Sequence, residues 1–464
     1  MTSTIDSPPD RAESAPRKGR WIDDWEPEDP AFWERTGRRT ANKNLVFSIF
    51  AENLGFSVWV LMSIVVVSLG QVGYAFSVGQ TFWLLIVPNL VGAALRVPYT
   101  FAVPRFGGRV WTTVSAGLLL IPTAMLAYAV GADGTPYWFF LLTAAAMGLG
   151  GGNFSSSMAN ISFFFPEGRK GLALGLNAAG GNLGVAQTQL LVPVAISFGA
   201  GIDLVYAALM WMPLIILAAA CSWFFMDSIT SAKPDGRSYR EALSTKHTWV
   251  MSLLYIGTFG SFIGFSFAFP SLIKIAFAEH SGFVALAFIG ALIGSVARPF
   301  GGWLADRFGG ARMTVAVFVA MGIGAAGVVA SVTAGSFALF FGSFVALFVL
   351  SGMGNGTTYR MIPAIFTAEV RARAAETGED PAAAVKRGKR QSAAVVGIAG
   401  AVGAFGGVLV NLVFKFSLES TRTLTPALVA FVAFYAVCVG VTWWFYLRRS
   451  FAVERAPSLA YAGV

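Results

Sequence analysis

Long apolar runs alternate with short polar breaks along almost the whole chain. Twelve runs stand out, at about 45–69, 80–103, 111–130, 136–165, 171–198, 203–226, 248–276, 281–304, 313–333, 337–366, 392–416 and 424–447. Each is long enough to carry a helix across a hydrocarbon layer of about 30 Å. The short alternating segments of a membrane β-barrel are absent. The pattern predicts an all-α polytopic membrane protein with twelve transmembrane helices. Its polar breaks set the organisation: an N-terminal segment 1–44, a six-helix half 45–226, a linker 227–247, a second half 248–448 and a tail 449–464. The first 44 residues lack the apolar stretch of a signal peptide, so no cleavage for export is expected. Trp21, Trp25 and Trp33 sit among charges there and suggest a short segment lying on the membrane face, behind a disordered tail before residue 20.

The two halves repeat one another. Arg96 precedes Arg105-Phe106-Gly107-Gly108 by nine residues, and Arg298 precedes Arg307-Phe308-Gly309-Gly310 by the same nine. The offset of 202 also superimposes Gly152-Asn153 on Gly354-Asn355, Ser155-Ser156 on Thr357-Thr358, and Phe164 on Phe366. The second half then gains about 21 residues in a charged loop near 370–390, after which Gly180 and Gly184 match Gly403 and Gly407. Two pseudo-symmetric six-helix halves in parallel orientation resemble the arrangement of major facilitator transporters, whose substrate site lies near the midplane between the halves.

Composition and charge narrow the function. Of 464 residues, 56% are hydrophobic and 12% charged, with a mean hydropathy of +0.66. A soluble enzyme could not bury that much apolar surface. With both termini on one side, that side collects 27 of the 33 Lys and Arg, and the other only Lys274, Lys415 and Arg422. The positive-inside rule then puts both termini in the cytoplasm. It also explains the net charge of +9 without nucleic acid, which is not expected as a partner. Two cysteines, Cys221 and Cys438, and two histidines, His247 and His280, leave no material for a disulfide framework or a metal site. No cofactor is expected.

Three arginines remain, Arg96, Arg298 and Arg360, all inside apolar spans. A charge in a span is a functional hypothesis by default. Arg96 and Arg298 are mates under the repeat, so two guanidiniums facing one cavity form a site for a small anion. The planar fork of Arg offers bidentate hydrogen bonds to a flat oxyanion and keeps its charge. The competing explanation, that each pairs with a buried carboxylate, fails on supply: Glu52 is the one acidic candidate in the spans. An empty cavity holding two like charges resists closure. A carrier of this kind should move loaded more readily than empty, as an exchanger does.

Other positions are weaker signals. The glycine-rich runs Gly148–Asn153 and Gly175–Gly184 read as close helix packing, with Gly180, Gly184, Gly403 and Gly407 as places where helices can slide or bend. They are not phosphate loops, since no Gly-Lys-Ser/Thr follows. Asn177 and Asn182 could each donate to an anion. Tyr255 and Phe259, one turn apart, could line a cavity, although packing alone explains such pairs more often. Asp306, with Arg307 and Arg312, reads as a charge latch at a helix end. No nucleophile and base can be assembled, so the protein is not expected to be an enzyme.

Several long stretches resemble one family. Residues 152–166 (GNFSSSMANISFFFP) followed by 173–184 (ALGLNAAGGNLG) are similar to the signature of the nitrate/nitrite porter family of the major facilitator superfamily, in its bacterial NarK-type members. Residues 25–33 (WEPEDPAFW), 96–101 (RVPYTF) and 251–265 (MSLLYIGTFGSFIGF) are similar to it as well. The resemblance runs from about residue 21 to 448. It implies nitrate and nitrite as substrates, Arg96 and Arg298 as the paired anion-binding arginines, and Tyr255, Phe154, Phe259 and Asn182 as the groups around the anion. It further implies exchange of external nitrate for internal nitrite in nitrate respiration or assimilation, a multi-pass protein of the bacterial cytoplasmic membrane, and spans 5 and 11 as flexing elements. A monomer in contact with membrane lipid is expected.

Two residues depart from that pattern. Glu52 occupies a position where the exchanger type should be apolar. It is either a proton carrier, which makes a proton-coupled nitrate symporter the alternative, or a carboxylate near the cytoplasmic headgroups paired with a loop cation. Arg360 either reaches the cytoplasmic surface along its own stem or adds charge to the exit path. An anion channel or a non-transporting sensor is the remaining class.

Overall fold

A computed structural model describes residues 20–198, 201–232, 236–378, 380–449 and Leu459, and these are helical apart from one two-residue strand pair and the connections. The expected N-terminal tail before residue 20, and most of the C-terminal tail, lie outside the described residues. The helices are α1 (Arg38–Val65), α2 (Val78–Phe106), α3 (Gly108–Gly131), α4 (Tyr137–Phe164), α5 (Glu167–Ile196), α6 (Val205–Phe225), α7 (Lys246–Ala276), α8 (Ala287–Phe308), α9 (Gly310–Thr333), α10 (Phe337–Thr377), α11 (Pro381–Thr421) and α12 (Thr425–Leu447). Ten helices among the described residues are long and apolar enough to cross a membrane. The other two, α4 and α5, are as long but more polar. Their Asn153, Ser155, Ser156, Ser157, Asn160, Asn177 and Asn182 are all buried, so this polarity faces the interior of the bundle. The expected twelve-helix count is consistent with this set.

The repeat reappears as packing. In the first half α2 packs on α4 and α1 on α5; in the second α8 packs on α10 and α7 on α11. Across the halves α2 meets α11 and α8 meets α5, again as mates. Glycines permit these approaches. A Cβ on Gly150 would lie 2.1 Å from the Gly55 carbonyl oxygen, and one on its mate Gly352 would lie 2.0 Å from that of Gly294. Backbone contact of this kind is how apolar helices associate without a hydrophobic drive from water.

The halves are sealed together at the end opposite the termini. Lys274 on α7 donates to the Val67 carbonyl at 2.6 Å, and Gln189 on α5 donates to the Ser266 carbonyl at 2.7 Å. Lys415 and Glu419 on α11 pair at 2.6 Å, and Glu419 lies against Gly79 at the start of α2. Both lysines on that side therefore serve the closure.

Three expectations need correction, and the linker gains a detail. The charged stretch near 370–390 is not a loop, because α10 and α11 run on into it and are broken only around Gly378. Its Ala, Arg, Lys and Glu residues are strong helix formers. The linker 227–247 carries a helix, Gly236–Ser244. Trp25 and Trp33 are not exposed anchors. They are buried against Phe164 and Phe165, and Trp25 Nε1 donates to the Phe163 carbonyl at 3.0 Å. With β1 (Trp21–Ile22) paired in parallel to β2 (Ser228–Ile229), the segment straps the end of α4 to the linker. Finally, Asp306 is held by Arg360, with both side chains exposed, rather than latched to Arg307 or Arg312. That pair accounts for the third arginine, which stands at the surface beside the end of α8.

Candidate functional site

Arg96 and Arg298 both point inward, and each is held by more than its own helix. Arg96 on α2 is 0% exposed. Its Nε donates to the Gly151 carbonyl on α4 at 3.2 Å, and its Nη1 to the Gly400 carbonyl on α11, in the other half, at 2.7 Å. Its carbon Cζ lies 4.7 Å from the ring centre of Phe154, 5.1 Å from Phe259 and 5.5 Å from Trp59. Arg298 on α8 is 6% exposed. Its Nη2 donates to the Tyr255 hydroxyl at 3.3 Å, and its Cζ lies 4.9 Å from the ring of Tyr359. Aromatic faces attract a desolvated cation by about 2 kcal/mol, so both guanidiniums are stabilised without surrendering their charge.

The walls link the two cations. Tyr255 and Phe259 on α7 stack at 5.2 Å with 9° between planes, and Phe259 faces Phe154 from the first half at 6.3 Å. The α7 helix widens by one residue over Ile256–Gly260, a π-bulge located between these two rings. Such bulges re-aim side chains at functional positions. The path thus runs from Arg96 through Phe259 and Tyr255 to Arg298.

Each guanidinium keeps one buried nitrogen without a hydrogen-bond partner, Arg96 Nη2 and Arg298 Nη1. Leaving a charged donor unpaired in a dry site costs about 1–3 kcal/mol or more. Among the described residues neither arginine is in ion-pair contact with a carboxylate. Two fixed cations with spare donors and aromatic walls fit a small flat anion chemically.

Glu52 lies within electrostatic range of both Arg96 and Arg298 but makes its hydrogen bonds to other groups. It lies midway along α1, 1% exposed, and is not paired with a loop cation. Its Oε2 accepts from Ser157 and from Asn177 Nδ2, the latter at 2.5 Å, and Ser157 is joined to Ser48 at 2.9 Å. Asn177 is thereby engaged with Glu52. Asn182 is buried with its Oδ1 unpartnered, one turn and a half further along α5.

The four singled-out glycines are sites of close approach. A Cβ on Gly180 would meet Ile49 at 2.4 Å, and one on Gly184 the Asn53 carbonyl at 2.3 Å. A Cβ on Gly403 would meet the Tyr255 ring at 2.4 Å, and one on Gly407 the Asn89 side chain at 2.6 Å. Gly180 and Gly403 thus do the same job on mated helices.

Sequence reasoning missed Trp59, Gly400 and Tyr359. Trp59 is fully buried, donates to the Pro88 carbonyl at 2.8 Å and fills the space opened by Gly92 and Gly151. The glycine pair was the available signal. Gly400 contributes only its carbonyl, which no side-chain pattern announces. Tyr359 is the repeat mate of Ser157, which could have been read from the 202 offset.

A sequence model described as Major Facilitator Superfamily matches residues 45–379. The chain is 41% identical over 446 residues to the nitrate/nitrite transporter NarU of Salmonella typhimurium, covering 92% of this chain and 96% of that protein. It is 34% identical over 457 residues to the probable nitrate/nitrite antiporter NarK2 of Thermus thermophilus, covering 93% and 98%. A crystal structure of a D-xylose–proton symporter superimposes with a TM-score of 0.63 at 14% identity, covering 87% of this chain and 97% of that one, a likeness of fold alone.

Proposed function

The chain belongs to the major facilitator superfamily and to its nitrate/nitrite porters, and from that premise we propose that it exchanges nitrate for nitrite across the bacterial cytoplasmic membrane. It is a multi-pass membrane transporter and not an enzyme; the anions, the coupling and the direction of the termini are the proposed part. The observation that carries the reading is the pair of buried, unpartnered guanidinium nitrogens, one from each half, each guanidinium lying against aromatic rings.

The physics follows from those groups. The anion enters between Arg96 and Arg298 and accepts from Nη2 of one and Nη1 of the other. Phe154 and Phe259 exclude water, which strengthens both charge-assisted bonds. With its charge partly cancelled, the cavity can close at one end and open at the other, the two halves rocking about the α2–α11 and α5–α8 seams. With no anion, two like charges face each other in a low-dielectric site and closure is penalised. The carrier therefore returns only with an anion, which makes transport an exchange. Both termini sit on the cytoplasmic side in this reading.

A second reading has one observation in its favour. Glu52 Oε1 is sealed from solvent and has no hydrogen-bond partner, so it could carry a proton alongside the anion. Proteoliposomes separate the two. We expect labelled nitrate to enter against internal nitrite with no pH gradient, and Glu52→Gln to retain that exchange within about threefold. Uptake that needs an inward proton gradient and disappears in Glu52→Gln makes the protein a nitrate symporter instead. Uptake with no anion inside and no gradient of protons makes it a channel.

A further inference from the structure

We propose that the hydroxyl of Tyr359 is a third donor of the anion site and that it selects nitrate over nitrite. The inference rests on the reading of the site as a nitrate and nitrite site. Tyr359 comes from α10, a helix that contributes neither arginine. Its ring lies 5.4 Å from that of Tyr255 and under the Arg298 guanidinium at 4.9 Å. Its hydroxyl is buried and has no hydrogen-bond partner. A buried phenol normally finds one, so this donor is unspent for a reason.

The repeat supplies the contrast. The offset of 202 sets Tyr359 against Ser157. In the first half that hydroxyl is consumed by Glu52. In the second half Glu52 also lies within electrostatic range but accepts no hydrogen bond from Tyr359, so the hydroxyl stays unpartnered near a guanidinium that keeps an unpartnered nitrogen of its own. The two mated positions have therefore diverged, one closing a polar cluster and the other adding a donor to the chamber.

The chemistry of the two anions gives that donor a purpose. Nitrite is bent, with two oxygens, and one spare guanidinium nitrogen from each half serves them. Nitrate is trigonal, and its third oxygen points away from the pair bound by the arginines. A donor arriving from a different helix is what that oxygen requires. A site built to hydrogen-bond a group rejects the analogue that lacks it, because its own donor is then left unpaired. Tyr255 accepts from Arg298 Nη2 at 3.3 Å and keeps its own O–H, a donor that stays with Arg298 and serves either anion.

The test is equilibrium binding of nitrate and of nitrite to the purified full chain, for wild type and Tyr359→Phe. The substitution keeps the ring and its contact with Arg298 and removes only the hydroxyl. Nitrate affinity should fall about tenfold, about 1.4 kcal/mol, while nitrite affinity stays within about twofold. Tyr255→Phe, measured beside it, should weaken both anions alike. Equal losses for both anions in Tyr359→Phe, or no loss for either, overturn the assignment. Wild-type protein that binds neither anion overturns the site itself, and with it this role of Tyr359.

Discussion

Replacing Arg298 by lysine should lower nitrate–nitrite exchange about 100-fold while the protein stays folded. The native side chain offers two nitrogens, Nη2 bound to the Tyr255 hydroxyl at 3.3 Å and Nη1 buried without a partner. An ammonium on a shorter reach satisfies one of these at most, and it loses the flat stacking on Tyr359. Losing one or two charge-assisted bonds at about 1.5–3 kcal/mol each gives the stated fall. Arg96→Lys should be as severe, since Arg96 also bonds both halves through Gly151 and Gly400. Initial exchange rates in proteoliposomes, with size-exclusion profiles to certify folding, read the effect. Rates within twofold of wild type in either variant remove that arginine from the site.

Gly403→Ala should cost at least tenfold in the same assay, although the change adds a single uncharged methyl group. The new Cβ would stand 2.4 Å from the Tyr255 ring, which is backed by Phe259 and cannot rotate aside. Tyr255 must shift, and Arg298 loses the group that orients it. Overpacking a core by one methylene costs about 1–3 kcal/mol in itself. Gly440 is the control: it lies in open space on α12, and Gly440→Ala should leave exchange unchanged. Equal behaviour of the two variants would mean that Tyr255 has no part in holding the anion.

The parts of the site that carry charge were legible in the sequence, because a guanidinium in an apolar span has few places to go. Arg96 and Arg298 announced themselves twice, by cost and by the repeat. Tyr359 did not, since a tyrosine in an apolar helix is ordinary until the rotation of α10 is known. Glu52 was visible but its neighbours were not. Reading α1 from residue 45 placed it near a helix end, whereas the helix begins at Arg38 and the carboxylate meets Ser157 and Asn177 more than a hundred residues away. Distance along the chain explains the strap as well. Trp25 and Trp33 look like membrane-surface anchors among their local charges, and only contact with Phe163–Phe165 and the linker strand buries them. The extensions of α10 and α11 were an error of a different kind. Their composition favours helix, and the density of charge hides it.

The central claim is that one anion is shared by two cations from opposite halves. A structure of the protein determined with nitrate bound tests it most directly. One nitrate should lie between Phe154 and Phe259, within hydrogen-bond distance of both Arg96 Nη2 and Arg298 Nη1. Nitrate bound to one arginine alone or outside that chamber, or either guanidinium paired with a carboxylate while nitrate is present, would contradict the account.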